Sequence, residues 1–209
     1  MRLPPARATT VLAVATAAAW ALVAMSGMAD QAQILGAFIP ARASGLLDLP
    51  GAVPAWLTPI TALLLHAGIL HLGFNLLMLG FCGRYVEVAV GWIGVAILYV
   101  TGAYAAALGQ YLLGPSDPSP MIGASGAISA LLGAYALLYG ERRATLANRR
   151  LNGIVNILWL AAAWIGLQLL VGIALSNDSG RIAVGAHVGG FLVGLALARP
   201  LLLWRHRTA

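Results

Sequence analysis

Six apolar stretches, at about residues 9–28, 59–81, 89–113, 122–140, 153–175 and 182–203, dominate this chain. Each is close to the roughly 20 residues that an α-helix needs to cross the hydrocarbon core of a bilayer. In lipid every backbone N–H and C=O must be satisfied internally, which leaves only helices or a closed barrel as spanning structures. The stretches are continuously apolar, not alternating, so the expectation is an all-α membrane protein, a bundle of six transmembrane helices. A soluble domain would carry roughly 25% charged residues, whereas this chain carries 9% against 61% hydrophobic. Residues 1–209 therefore read as a single membrane domain with no separate soluble unit.

The intervening segments 29–58, 82–88, 114–121, 141–152 and 176–181 carry the charges, prolines and glycines that end helices. With the N-terminus in the cytoplasm, one side receives Arg2, Arg7, Arg84, Arg142, Arg143, Arg149, Arg150, Arg199, Arg205 and Arg207. Against these ten stand Glu87 and Glu141, ten minus two, or +8. The other side receives Arg42 and Arg181 against Asp30, Asp48, Asp117 and Asp178, two minus four, or −2. The asymmetry places both termini in the cytoplasm. Arginines gathered at helix ends orient a membrane protein and do not form a phosphate-binding face, so no nucleic-acid partner is expected. The start also competes as a secretory leader, with Arg2 and Arg7, an apolar run and Ser26-Gly27-Met28-Ala29. The run Ala8–Met28 is longer than the usual leader core, and the later helices keep their orientation either way. The long outer loop 29–58 is itself apolar, with Ile34, Leu35, Phe38, Ile39 and Trp56. It reads equally as a segment dipping into the interface and as an ordinary ordered loop.

Polar side chains at membrane depth are costly and tend to mark function. Helix 2 (59–81) holds His66, His71 and Asn75 in its early part. Helix 4 (122–140) opens on Gly123-Ala124-Ser125-Gly126. His187 lies about six residues after Arg181, or roughly 9 Å into helix 6 (182–203). All three helices start on the outer side, so these groups share one shallow level. His71 and Asn75, four apart, share a helix face; by themselves they also fit ordinary interhelical hydrogen bonding. His66 reads as a structural residue at the water boundary. Gly123 and Gly126 on helix 4, and Gly190 and Gly194 on helix 6, belong to small-residue faces that let helices approach closely. A Ser and a His on separate helices can meet only across such a contact.

The inventory narrows the chemistry. All six acids lie in loops or at helix ends, so an intramembrane aspartyl site has no carboxylates and proton-coupled transport lacks its usual groups. His-Glu-x-x-His is absent. Zinc on His66, His71 and His187 stays conceivable, but no carboxylate is placed as general base. The single cysteine, Cys82, excludes an intramolecular disulfide and metal sites built on cysteine pairs. What remains is Ser plus His, a dyad variant of the catalytic triad. No cofactor or metal is called for.

The run His66-Ala67-Gly68-Ile69-Leu70-His71-Leu72-Gly73-Phe74-Asn75, Gly123-Ala124-Ser125-Gly126, and Ala186-His187-x-x-Gly190 resemble, in that order, the rhomboid intramembrane serine proteases. The likeness covers Trp56 to Gly194. It implies Ser125 as nucleophile and His187 as general base, with the Ser125 N–H, Asn75 and His71 holding the oxyanion. It further implies a structural role for Glu87 at the end of helix 2. Substrates would be other transmembrane proteins, entering from the bilayer between helices 2 and 5 beneath a cap at 175–181. Trp164, Leu167 and Val171 share a face of helix 5 that serves either as that gate or as lipid-facing bulk. The resemblance and the Arg- and Ala-rich composition together place the protein in the plasma membrane of a prokaryote, its site opening outward.

Two positions depart from the family pattern. Active relatives often have Trp-Arg in the first outer loop, where this chain has Trp56-Leu57. They often carry an aromatic residue one turn after the nucleophile, stacked on the catalytic imidazole, where this chain has Ser129. That leaves His187 to lean on Gly126 and on the packing of its own helix. A non-catalytic binder of membrane helices and a small transporter are the competing readings. Retention of Ser125 and His187 argues against the first, and the lack of buried carboxylates and of paired broken helices argues against the second.

Overall fold

The computed structural model describes residues 6–140, 149–175 and 183–207, giving only the helix path for 149–150 and 167–175. In chain order the helices are α1 (Arg7–Met25), α2 (Ala29–Gly36), α3 (Pro40–Ala43), α4 (Thr58–Thr61), α5 (Ile69–Met78), α6 (Arg84–Leu113), α7 (Ser125–Tyr139), α8 (Arg149–Leu175) and α9 (Val184–Arg205). A 3₁₀ turn, Ala62–Leu64, follows α4, and a π-helical turn, Leu79–Gly83, joins α5 to α6. Among the described residues the only β pairing is an isolated antiparallel bridge between Phe38 and Met121.

Among the described residues, three helical stretches are long and apolar enough to cross a membrane: Arg7–Met25, Ile69–Leu113 and Val184–Arg205. The middle one runs 45 residues. At 1.5 Å per residue that is about 67 Å, twice the ~30 Å hydrocarbon core. Its direction changes at Gly91, whose φ of 77° and ψ of 172° are non-helical and suit a residue without a Cβ. The sequence reading placed the break at 82–88 because Arg84 and Glu87 sit there. In the structure the helix runs through both, because Glu87 finds its partners inside the protein.

Those partners explain the join. The Glu87 carboxylate, 7% exposed, accepts hydrogen bonds from the Ala8 N–H at 2.9 Å, the Thr9 N–H at 2.9 Å and the Thr9 hydroxyl at 2.7 Å. It thus caps the first turn of α1, where unpaired N–H groups and the helix dipole both favour negative charge. Arg205, the last residue of α9, donates to the Glu87 carbonyl at 3.0 Å and to the Val88 carbonyl. One short segment of α6 therefore ties the start of α1 to the end of α9.

α7 lies at the centre. Ten of its fifteen residues are buried, and its principal neighbours are α6 and α9. The contacts are made by small residues. A Cβ on Gly190 would fall on the Gly126 carbonyl oxygen, one on Gly194 on the Ala130 carbonyl, and one on Gly133 on the Phe191 carbonyl. α7 and α9 are in backbone contact along their length, as small-residue faces permit. Around them Leu79, Val86, Val90, Val95, Leu98, Ile128 and Leu131 form an apolar core. Leu158, Trp159, Leu192, Leu108 and Leu112 stand outward, each more than half exposed, which suits a surface facing lipid.

The segment after α1 is ordered. α2 and α3 precede a loop held to α2 by the Val53 N–H bond to the Leu35 carbonyl, 3.0 Å. Ala37, Ile39 and Ala41 are buried against Leu47, Leu49 and Ile122.

Candidate functional site

Ser125 is the first residue of α7, and the loop before it is fixed from three directions. The Phe38–Met121 bridge carries N–H···O bonds of 3.1 and 2.8 Å, and the Gly123 N–H donates to the Ala62 carbonyl at 2.8 Å. The Ala124 N–H points to His66 Nε2 at 3.5 Å. Gly123 has φ +107°, and a side chain there would collide with the His71 ring, its Cβ lying 2.7 Å from Nε2. Only glycine combines that backbone with that neighbour.

His187 is the fourth residue of α9, which starts at Val184. It therefore sits about 4.5 Å along the helix, not the 9 Å expected from Arg181, because Ala183 just before Val184 has non-helical φ/ψ. His187 Nε2 and Ser125 Oγ are 2.9 Å apart. The close approach of α7 and α9 at Gly126 and Gly190 brings the two side chains within reach. His187 is 5% exposed.

His66 corrects the helix-2 boundary. The chain is helical at 58–64 but extended at Leu65 and Gly68, and α5 begins only at Ile69. His66 thus lies in the connection before α5. It is 3% exposed, not at a water boundary, with its ring edge-on to His71 at 4.9 Å. His71 Nδ1 accepts the Ala67 N–H at 3.4 Å. In a neutral ring with that acceptor the proton sits on Nε2, which faces Gly123. Asn75, 1% exposed, donates its amide to the His71 carbonyl one turn back at 2.9 Å. One amide hydrogen remains for another acceptor.

Trp164 of α8 was legible only as one of three residues on a possible gate. Its Nε1–H donates to Ser129 Oγ at 2.7 Å, and Ser129 donates in turn to the Ser125 carbonyl at 2.7 Å. Its ring stacks on Phe74 of α5, centroids 5.8 Å apart and 17° between planes. It meets the His187 ring edge-on, at 6.2 Å and 77°. The signal for this arrangement was in the sequence: a hydroxyl on the buried face of α7 and an indole N–H on a neighbouring span both need partners. The Leu167 and Val171 side chains, and residues 176–181 of the expected cap, lie outside the described residues. Among the described residues no group of three His, Cys, Asp or Glu side chains is disposed to hold a metal ion.

A hydroxyl at a helix N-terminus, bonded to an imidazole from a second helix, is the arrangement of nucleophile and base. Similarity to known proteins points the same way. A family model, Rhomboid domain, matches residues 54–204. Rhomboid-type serine protease 2 of Emericella nidulans is 34% identical over 158 residues, 73% of this chain and 28% of its own length. Rhomboid protease GluP of Bacillus subtilis is 33% identical over 148 residues, 69% of this chain and 27% of its own. Rhomboid protease GlpG of an Enterobacter species is 34% identical over 140 residues, 66% of this chain and 46% of its own. The chain thus spans between about a quarter and a half of the length of these curated relatives. The matched domain contains His71, Asn75, Ser125 and His187 together with the helices that carry them, and on that ground the chain belongs to the rhomboid family.

Proposed function

We propose that this protein is an intramembrane serine endopeptidase that cleaves transmembrane helices near the outer face of a prokaryotic plasma membrane. The observation that carries the reading is the 2.9 Å approach of Ser125 Oγ to His187 Nε2 from two separate helices. Ser125 Oγ attacks the scissile carbonyl carbon as its proton passes to His187 Nε2. The same proton then goes to the leaving amine, and water hydrolyses the acyl-enzyme by the reverse use of the base. The oxyanion is held by the Ser125 N–H at the start of α7, where free N–H groups favour negative charge. His71 Nε2–H and Asn75 are the side-chain donors. No metal or cofactor enters the scheme.

Six crossings follow if Ile69–Leu113 counts twice, broken at Gly91, and α7 and α8 each count once. α7 has 15 residues, about 22 Å, so a buried helix of that length begins several ångströms beneath the outer boundary of a ~30 Å core. That recess sets the depth of the reaction and admits water from outside. The seam between α5 and α8, where Phe74 stacks on Trp164, is the route for a substrate helix that unwinds locally. A small residue such as Ala fits at the cleaved bond, beside a helix surface of glycines and alanines.

The test is labelling with a fluorophosphonate in parallel with cleavage of a reporter transmembrane substrate in liposomes. Labelling at Ser125, with Ser125→Ala and His187→Ala each reducing cleavage by at least 10³-fold while thermal unfolding stays near that of the parent, is expected. Ser125→Ala leaving cleavage intact would favour the non-catalytic binder.

A further inference from the structure

The family resemblance puts an aromatic ring one turn after the nucleophile, and this chain has Ser129 there. We propose that Trp164, fixed by Ser129, is a positioning residue for His187, supplying from α8 the aromatic wall that α7 lacks. The inference rests on the reading of Ser125 and His187 as nucleophile and base.

Three observations define the indole. Its N–H is bonded to Ser129 Oγ at 2.7 Å, one face lies on Phe74, and the ring meets the imidazole of His187. It is 3% exposed. Ser129, with no exposed surface, has one hydrogen, which goes to the Ser125 carbonyl at 2.7 Å. That direction leaves its lone pairs to the indole N–H, so the two bonds determine each other. The result is a buried line from Trp164 through Ser129 to the backbone of Ser125, with the His187 ring meeting the same indole edge-on.

An imidazole must be held against rotation to keep Nε2 on the hydroxyl. In a triad a carboxylate does this. Here Glu87 is committed to Ala8 and Thr9. Edge-on aromatic contact is a restraint of another kind, and Ser129 makes it specific by orienting the indole. A tyrosine or phenylalanine at position 129 would occupy the space Trp164 fills. The substitution in α7 and the indole in α8 are thus one arrangement.

A ring that only closed the substrate seam would act on binding and leave the dyad alone. The two cases separate by measuring, on the full chain in liposomes, the labelling rate of Ser125 by a small fluorophosphonate and the kcat and KM for a reporter substrate. Trp164→Ala should lower labelling and kcat by more than tenfold, with KM within about twofold, since misplacement of a reacting group by ~1 Å can cost 10²-fold. Ser129→Ala, which removes a single oxygen and keeps the helix, should lower both about three- to tenfold. Trp164→Phe should match it, because each removes the same bond, and the double variant should be no worse than either alone. Labelling of Ser129→Ala at the parent rate, multiplicative losses in the double variant, or effects confined to KM would overturn the assignment. If the parent protein itself fails to label at Ser125, the protease reading fails and takes this inference with it.

Discussion

His71 and Asn75 illustrate how much a single side chain's hydrogen bonds decide. The spacing of four was enough to put both on one face of the helix, and the structure adds direction. His71 turns Nε2 toward Gly123, while Asn75 spends one amide hydrogen on the His71 carbonyl. In the proposed site both groups are held before any substrate arrives, which is where oxyanion donors gain their effect. Asn75→Ala should lower kcat by about 10²-fold with little change in KM; steady-state cleavage in liposomes checks this, and unchanged turnover would take Asn75 out of the oxyanion site. Ser129 shows the opposite lesson. From sequence it registers as a missing aromatic, and its value emerges only when α8 turns Trp164 toward it. Periodicity gives a helix and its faces but not which neighbour each face meets.

Among the elements, helix existence was legible and helix ends were not. Composition put a break at 82–88, since charge within an apolar run reads as a loop. Glu87 instead caps α1 and the turn falls at Gly91, a tertiary solution invisible to local pattern. Of the glycines expected to serve close packing of helices 4 and 6, Gly126, Gly190 and Gly194 lie where helices meet, whereas Gly123 lies in the loop before α7 against the His71 ring. Gly190 faces the Gly126 backbone, which cannot move aside as a flexible side chain would. Gly190→Ala should cost roughly 1–3 kcal/mol by overpacking and reduce cleavage by more than tenfold as α7 and α9 separate. Gly153, with open space around its Cβ position, is the control: Gly153→Ala should hold or raise stability by up to about 1 kcal/mol. Thermal unfolding in detergent, alongside cleavage, measures both.

At the scale of the whole molecule, the arginine distribution gives the clearest forecast. Reporter fusions should find the N-terminus and the end of α9 both on the cytoplasmic face and the α2–α3 segment outside. A fusion at 205 reporting from the opposite side to one at residue 7 would refute the six-span arrangement. The proposed count exceeds the three helices that qualify by length and composition among the described residues because it takes Ile69–Leu113 as a double crossing and adds α7 and α8. Chain connectivity adds a final constraint. The run ahead of the nucleophile is pinned at Met121 by Phe38 and at Gly123 by Ala62. Extra residues between Gly114 and Met121 would lengthen a loop upstream of both pins and leave the Ser125 hydroxyl where it is. One residue inserted after Gly123 would fall downstream of them, turn α7 by about 100°, and aim that hydroxyl away from His187. Variation in loop length is therefore expected to be tolerated upstream of Met121 and to displace Ser125 after Gly123.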